Sequence, residues 1–126
     1  MSTRSPIARV RGLGAAGTGV GHWTRQRLTA ISNLVLLLWL VVSVFALAGA
    51  DYAEVRAWLA SPISASLMIL LIVSICYHAR LGLQVVVEDY VHHDPARIAI
   101  LIAIPLILTG IAVTCIVAVL KVSLGS

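Results

Sequence analysis

The sequence predicts an all-α membrane protein with three transmembrane helices in an up-down-up bundle. Composition is the first sign: 60% of the 126 residues are hydrophobic and only 11% are charged. A soluble surface needs far more charge than that, so the chain falls in the membrane class. The second sign is three long apolar runs. Leu28 to Ala48 has no charge, Ile63 to Val87 carries only His78 and Arg80 as ionisable groups, and Ile98 to Leu120 has none. Each reaches or passes the roughly 20 residues that cross about 30 Å of hydrocarbon. The third sign is the short connections, which leave almost no soluble domain. Backbone amides in lipid must bond within their own segment, so the runs are helices.

The whole chain, residues 1–126, reads as one membrane-anchor domain with spans over about 28–48, 63–87 and 95–120. Residues 1–21 are rich in Ser, Arg and Gly, show no hydrophobic period and are expected to be a flexible tail. No apolar core precedes a cleavage site there, so a secretory signal peptide is not expected. Asp51 and Glu54 stand at capping-box spacing and predict a short interfacial helix ending near Ala60. Tyr52 and Trp58 suit the headgroup level. Ser61-Pro62 and Asp94-Pro95 each read as an N-cap followed by a first helical residue. The second loop, Glu88 to Asp94, is short, so spans two and three form an antiparallel hairpin. Pro105 and Gly110 inside the third span suggest a bend or a close neighbour.

The net charge of +4 follows topology. Arg4, Arg9, Arg11, Arg25 and Arg27 precede the first span, whereas the first loop holds only Arg56 and the chain end only Lys121. Positive-inside reasoning puts the N-terminus and second loop in the cytoplasm and the C-terminus outside, in the periplasm for a bacterial inner membrane. An acid-free, arginine-bearing tail also fits a mitochondrial targeting segment, which makes the mitochondrial inner membrane the alternative. The tail has no interleaved aromatics, so no nucleic-acid partner is expected. Gly12-Leu13-Gly14-Ala15-Ala16-Gly17 matches a dinucleotide fingerprint in letters alone, because no strand precedes it. Cys76 and Cys115 form no Cys-x-x-Cys pair and no haem-attachment motif. They read as small hydrophobes, and any haem is held without thioether links.

Chemistry concentrates in Tyr77 to Tyr90. Ionisable groups at membrane depth are costly and therefore functional candidates. His78 and Asp89, eleven residues apart, share a helix face and lie about 16 Å apart along the axis. Two readings are open for His78: an iron ligand near mid-membrane, or a histidine that only bonds a neighbouring helix. Gly82, one turn on, leaves space for a flat macrocycle. Arg80 can meet a haem propionate or be satisfied by a partner's acid or carbonyls. Tyr90 can hydrogen-bond a quinone and Asp89 can orient a partner's arginine or feed protons; an interface anchor and a solvated helix end are the plain alternatives. His92 and His93 follow in the loop, as solvated groups or a proton relay. His22-Trp23-Thr24 to Arg27 fits a headgroup-level entry into the first span, in contact with anionic membrane lipid.

His78-x-x-x-Gly82, then Gln84-Val85-Val86, then Asp89-Tyr90-Val91-His92, resembles the signature of the small hydrophobic membrane anchor of succinate dehydrogenase (succinate:quinone oxidoreductase, complex II). The approach from His22 to Arg27, the length and the three spans are similar too. The resemblance implies a complex that serves electron transport and the tricarboxylic acid cycle. Its flavoprotein carries FAD, its iron–sulfur protein relays electrons, and a second membrane anchor, cytochrome b556, pairs with this one. A trimer of such heterotetramers is the higher assembly it allows. By position, His78 would be an axial ligand of haem b shared with cytochrome b556, Tyr90 would bond ubiquinone, and Asp89 would support that site through an arginine of cytochrome b556. Arg80 departs from the family pattern, where an aromatic or a histidine is expected, so its propionate contact rests on its own chemistry. The chain alone has no hydride acceptor, metal-cluster motif or nucleophile with a base, so it is not an enzyme by itself. A small transporter component and a haem-free structural anchor are the rival functions.

Overall fold

The computed structural model describes residues 18–125. Arg4, Arg9, Arg11, the glycine run Gly12 to Gly17 and most of the expected tail lie outside them. Four helices follow in order: α1 (Thr18–Ala46), α2 (Tyr52–Ala60), α3 (Pro62–Tyr90) and α4 (Asp94–Ser123). No strand occurs among the described residues. α1, α3 and α4 are the three helices long and apolar enough to cross a membrane.

Local chemistry sets most of the boundaries. At α2 the Asp51 carboxylate accepts from the Glu54 amide at 2.9 Å, and Glu54 Oε2 accepts from the Asp51 amide at 3.0 Å. This reciprocal box holds a nine-residue helix that would be marginal alone. α3 starts with Ser61 as N-cap and Pro62 at the first turn, but the Ser61 side chain makes no capping bond. At α4 the cap is His93, one residue before the expected Asp94: its Nδ1 accepts from the Ala96 amide at 3.4 Å. Imidazole has an acceptor nitrogen like a carboxylate's oxygen, and Asp94 then sits in the first turn, where the helix dipole favours an acid. α4 runs unbroken through Pro105, and Gly110 has no neighbour within 4 Å of where a side chain would start.

The spans form an open row. α3 packs against both α1 and α4, and α1 and α4 do not pack closely on each other among the described residues. Both contacts are antiparallel: Thr29 meets His78, Ser32 meets Ser74 three residues further into α1, and Arg80 shares a groove with Pro105. α2 lies across α3 and α4. It is also tied to α1 by Trp39 stacked on Trp58, with ring centroids 5.6 Å apart. The interior is thin: Leu36, Leu71, Leu81 and Val87 are its largest buried apolar residues apart from Val119, the sole buried residue of α4. Apolar residues such as Leu34, Leu38, Leu106 and Ile107 face outward. A row with α3 in the middle leaves two faces of that helix open, one on each side.

Candidate functional site

The seam between α1 and α3 is polar where lipid-spanning helices are usually apolar. On α1, His22, Gln26, Thr29 and Asn33 recur at spacings of four, three and four, which is one helix face. On α3, Ser74, His78 and Leu81 answer them. His78 is half-buried, and its Nδ1 lies 3.0 Å from Thr29 Oγ1. Thr29 Oγ1 is also 2.9 Å from the Arg25 carbonyl and 3.0 Å from the Gln26 carbonyl. One turn before His78, the Ser74 hydroxyl reaches Ser32 Oγ at 3.1 Å and the Thr29 carbonyl at 3.5 Å. Small hydroxyl residues of this kind let membrane helices approach and bond across the seam.

The chain does not satisfy this seam by itself. His22 Nε2, Gln26 Oε1 and Asn33 Oδ1 are buried without a hydrogen-bond partner. Such atoms cost about 1–3 kcal/mol each when left unpaired, so they mark this seam as the place where a water, a cofactor or another chain has most to gain by bonding. His78 bonds through Nδ1, and its Nε2 has no hydrogen-bond partner among the described residues. One ring nitrogen anchored and the other free is the arrangement of a metal-ligating histidine. No other arrangement suits a metal: three or more His, Cys, Asp or Glu side chains do not cluster among the described residues. A lone imidazole of this kind fits a metal whose other ligands would come from outside this chain, as in a haem.

A cleft of about 600 Å³ opens beside the seam, on one face of the row. His22 and Arg25 line it from α1; Tyr77, Arg80, Leu81, Gln84, Val85 and Glu88 line it from α3. Gln84 Nε2 donates to Glu88 Oε1 at 3.1 Å, which engages the acid and leaves two guanidinium groups in the same cleft. Arg80 also reaches the groove of α4 formed by Leu101, Ile104 and Pro105. Pro105 has no N–H, so the Leu101 carbonyl lacks its helical donor; Arg80 lines the same groove.

The expected site residues do not all converge. Two residues apart on a helix means about 200° around it, so Arg80 does not join His78 on the seam itself; it lines the cleft beside the seam. Gly82 stays on the seam side, where Gln26 Nε2 is 3.7 Å from the position of a Cβ, an ordinary contact distance. Asp89 and Tyr90 are exposed at the end of α3, and neither lines the cleft. Tyr90 and Glu88, also two apart, project to opposite sides of α3, so the phenol and the arginine cleft belong to different faces of the row. His92 is exposed, and His93 serves as the cap of α4. Gln26, Thr29 and Asn33 are the residues that sequence reasoning missed, although their helical spacing within an apolar run was a readable signal.

Fold and seam together define a class: a small three-span membrane protein with a polar interhelical seam in which buried side-chain atoms lack partners among the described residues. The model of the succinate dehydrogenase/fumarate reductase transmembrane subunit family matches residues 1–117, and the chain belongs to that family. It is 35% identical over 111 residues to a succinate dehydrogenase hydrophobic membrane anchor subunit of Rickettsia bellii, covering 86% of this chain and 89% of that one. The same designation is carried by a Rickettsia conorii protein, 29% identical over 82% of each chain. It is carried as well by a Coxiella burnetii protein, 28% identical over 73% of this chain and 80% of its own.

Proposed function

We propose that this chain is the membrane anchor of a bacterial succinate dehydrogenase, holding the flavoprotein and iron–sulfur subunits at the inner membrane. In this reading His78 supplies one axial ligand of a haem b shared with a second membrane anchor. Tyr90 and Asp89 supply part of the ubiquinone-reduction site. The observation that carries the haem reading is the His78 ring held at Nδ1 by Thr29 with Nε2 left free.

When bound, haem b offers a one-electron store beside the path from the iron–sulfur relay to the quinone. The chain's own part is binding and orientation. His78 would hold the iron through Nε2. Arg80 and Arg25, which line one cleft, would meet the propionate carboxylates. Tyr90 donates a hydrogen bond to the quinone oxygen on which charge develops during reduction. Asp89, about 16 Å beyond His78 on the same helix side, accepts from an arginine of the second anchor. Arg25 and Arg27 stand at the same end of the row as Asp89 and Tyr90. Positive-inside reasoning thus favours a cytoplasmic quinone site, within reach of a peripheral iron–sulfur protein.

Affinity purification through a tag on this chain tests the assignment. Recovery of a flavoprotein, an iron–sulfur protein and a second small membrane protein, with a reduced-minus-oxidised b-type haem spectrum, is expected. Recovery of the chain with none of them overturns it. Arg80→Leu tests the propionate contact separately. A cation near the porphyrin disfavours the more positive ferric state, so its removal should lower the haem midpoint potential. An unchanged redox titration removes Arg80 from the haem site.

A further inference from the structure

We infer that Thr29 is the positioning residue of His78: its hydroxyl fixes the imidazole as the tautomer protonated at Nδ1 and so presents Nε2 as the ligating nitrogen. The inference rests on His78 being a haem ligand and adds what aims it.

The argument is a count of protons. The Thr29 hydroxyl has one proton and two lone pairs. The carbonyls of Arg25 and Gln26, at 2.9 and 3.0 Å, both lie where that proton can go. His78 Nδ1 is at 3.0 Å on the same oxygen. Were Nδ1 unprotonated, three acceptors would compete for a single proton and the hydroxyl's lone pairs would stay idle. With Nδ1 protonated, the ring donates to Oγ1, Oγ1–H goes to the carbonyls, and every group is served. A neutral imidazole carries one N–H, so Nε2 then keeps its lone pair in the ring plane.

Two features make this a fixed setting. Thr29 is buried, with 9% of its surface accessible, so water does not stand in for the hydroxyl. Ser74 bonds the Thr29 carbonyl and Ser32, one turn from His78, and holds α1 and α3 in register at this point. Back-bonding by a threonine to its own helix usually gains nothing. Here it turns the oxygen into a better acceptor, because a hydroxyl that donates also accepts more strongly. An acceptor on the far nitrogen of a ligating histidine makes the ring a stronger donor to metal and fixes its rotation. The oxidised iron gains most from that donation.

The test uses the purified complex with Thr29→Val, which keeps shape and removes the hydroxyl, and Thr29→Ser, which keeps the hydroxyl. Thr29→Val should raise the haem midpoint potential, alter the low-spin EPR g values and weaken haem retention by roughly tenfold or more. Thr29→Ser should match the unaltered complex in all three. A Thr29→Val complex with unchanged potential and g values overturns the inference, as does a Thr29→Ser complex displaced as far as the valine one. Should the valine complex fail to assemble, Thr29→Ala replaces it under the same criteria. Absence of haem from the unaltered complex would instead sink the reading of His78 itself, so the two failures are distinguishable.

Discussion

A complex assembled with His78→Ala in this chain should contain its full complement of subunits and no low-spin b-type haem. The substitution removes the anchored imidazole, and nothing else among the described residues offers nitrogen at that depth in the right place. His22 is the other histidine of the seam, and it lies nearly two helical turns from Thr29 along α1. Even an outer partner of a metal ligand is worth about 10- to 100-fold in affinity, so loss of the ligand itself should weaken haem binding beyond that range. Assembly should survive. Thr29 Oγ1 keeps the Arg25 and Gln26 carbonyls as partners, and Ser74 keeps Ser32, so the seam loses one interhelical bond. Such a bond within a membrane averages about 0.6 kcal/mol. The reduced-minus-oxidised spectrum of the tagged complex is the measurement. A b-type band of unaltered position and stoichiometry in the His78→Ala complex would show that the iron takes its imidazoles elsewhere.

The same seam shows what sequence could and could not supply. The spans were readable because each apolar run reaches what a bilayer requires and lipid allows the backbone one solution. The box at Asp51 and Glu54 was readable because its chemistry is local, confined to four residues. Its counterpart at α4 shifted from Asp94 to His93 because two adjacent side chains can both accept from the first free amides. The order α1–α3–α4 was not readable: hydrophobicity says that a helix is in the membrane and not which helix stands in the middle. His78 could be singled out from burial cost alone, but its partner Thr29 lies 49 residues away and only tertiary packing joins them. Arg80 is a mixed case. Its axial distance from His78 invited a shared site; the helical angle between them takes it off the seam, and only tertiary packing shows that it lines the cleft beside that seam. Thr29 and Gln26 went unnoticed because a headgroup-level role accounts for the start of α1, whereas the polar face continues inward to Asn33.

The second large effect is expected at Tyr90. Its side chain is 77% exposed at the end of α3 and packs on little of its own chain, so Tyr90→Phe should leave folding and assembly untouched. What changes is one hydroxyl. A donor aimed at an oxygen that gains charge during reaction is commonly worth about 100-fold or more in turnover. Ubiquinone reduction by the Tyr90→Phe complex should therefore fall by about that factor, mainly in kcat. Succinate oxidation with a soluble artificial acceptor should stay at its original rate, because those electrons leave before the membrane. The haem spectrum should also stay unaltered: Tyr90 is twelve residues beyond His78, about 18 Å along the axis. That combination separates a quinone contact from an aromatic anchor at the bilayer surface. An anchor tolerates phenylalanine, and the Tyr90→Phe complex would then reduce ubiquinone at full speed. In that outcome the exposed phenol is there to hold the helix end among headgroups, and the quinone must be bound by the other subunits alone.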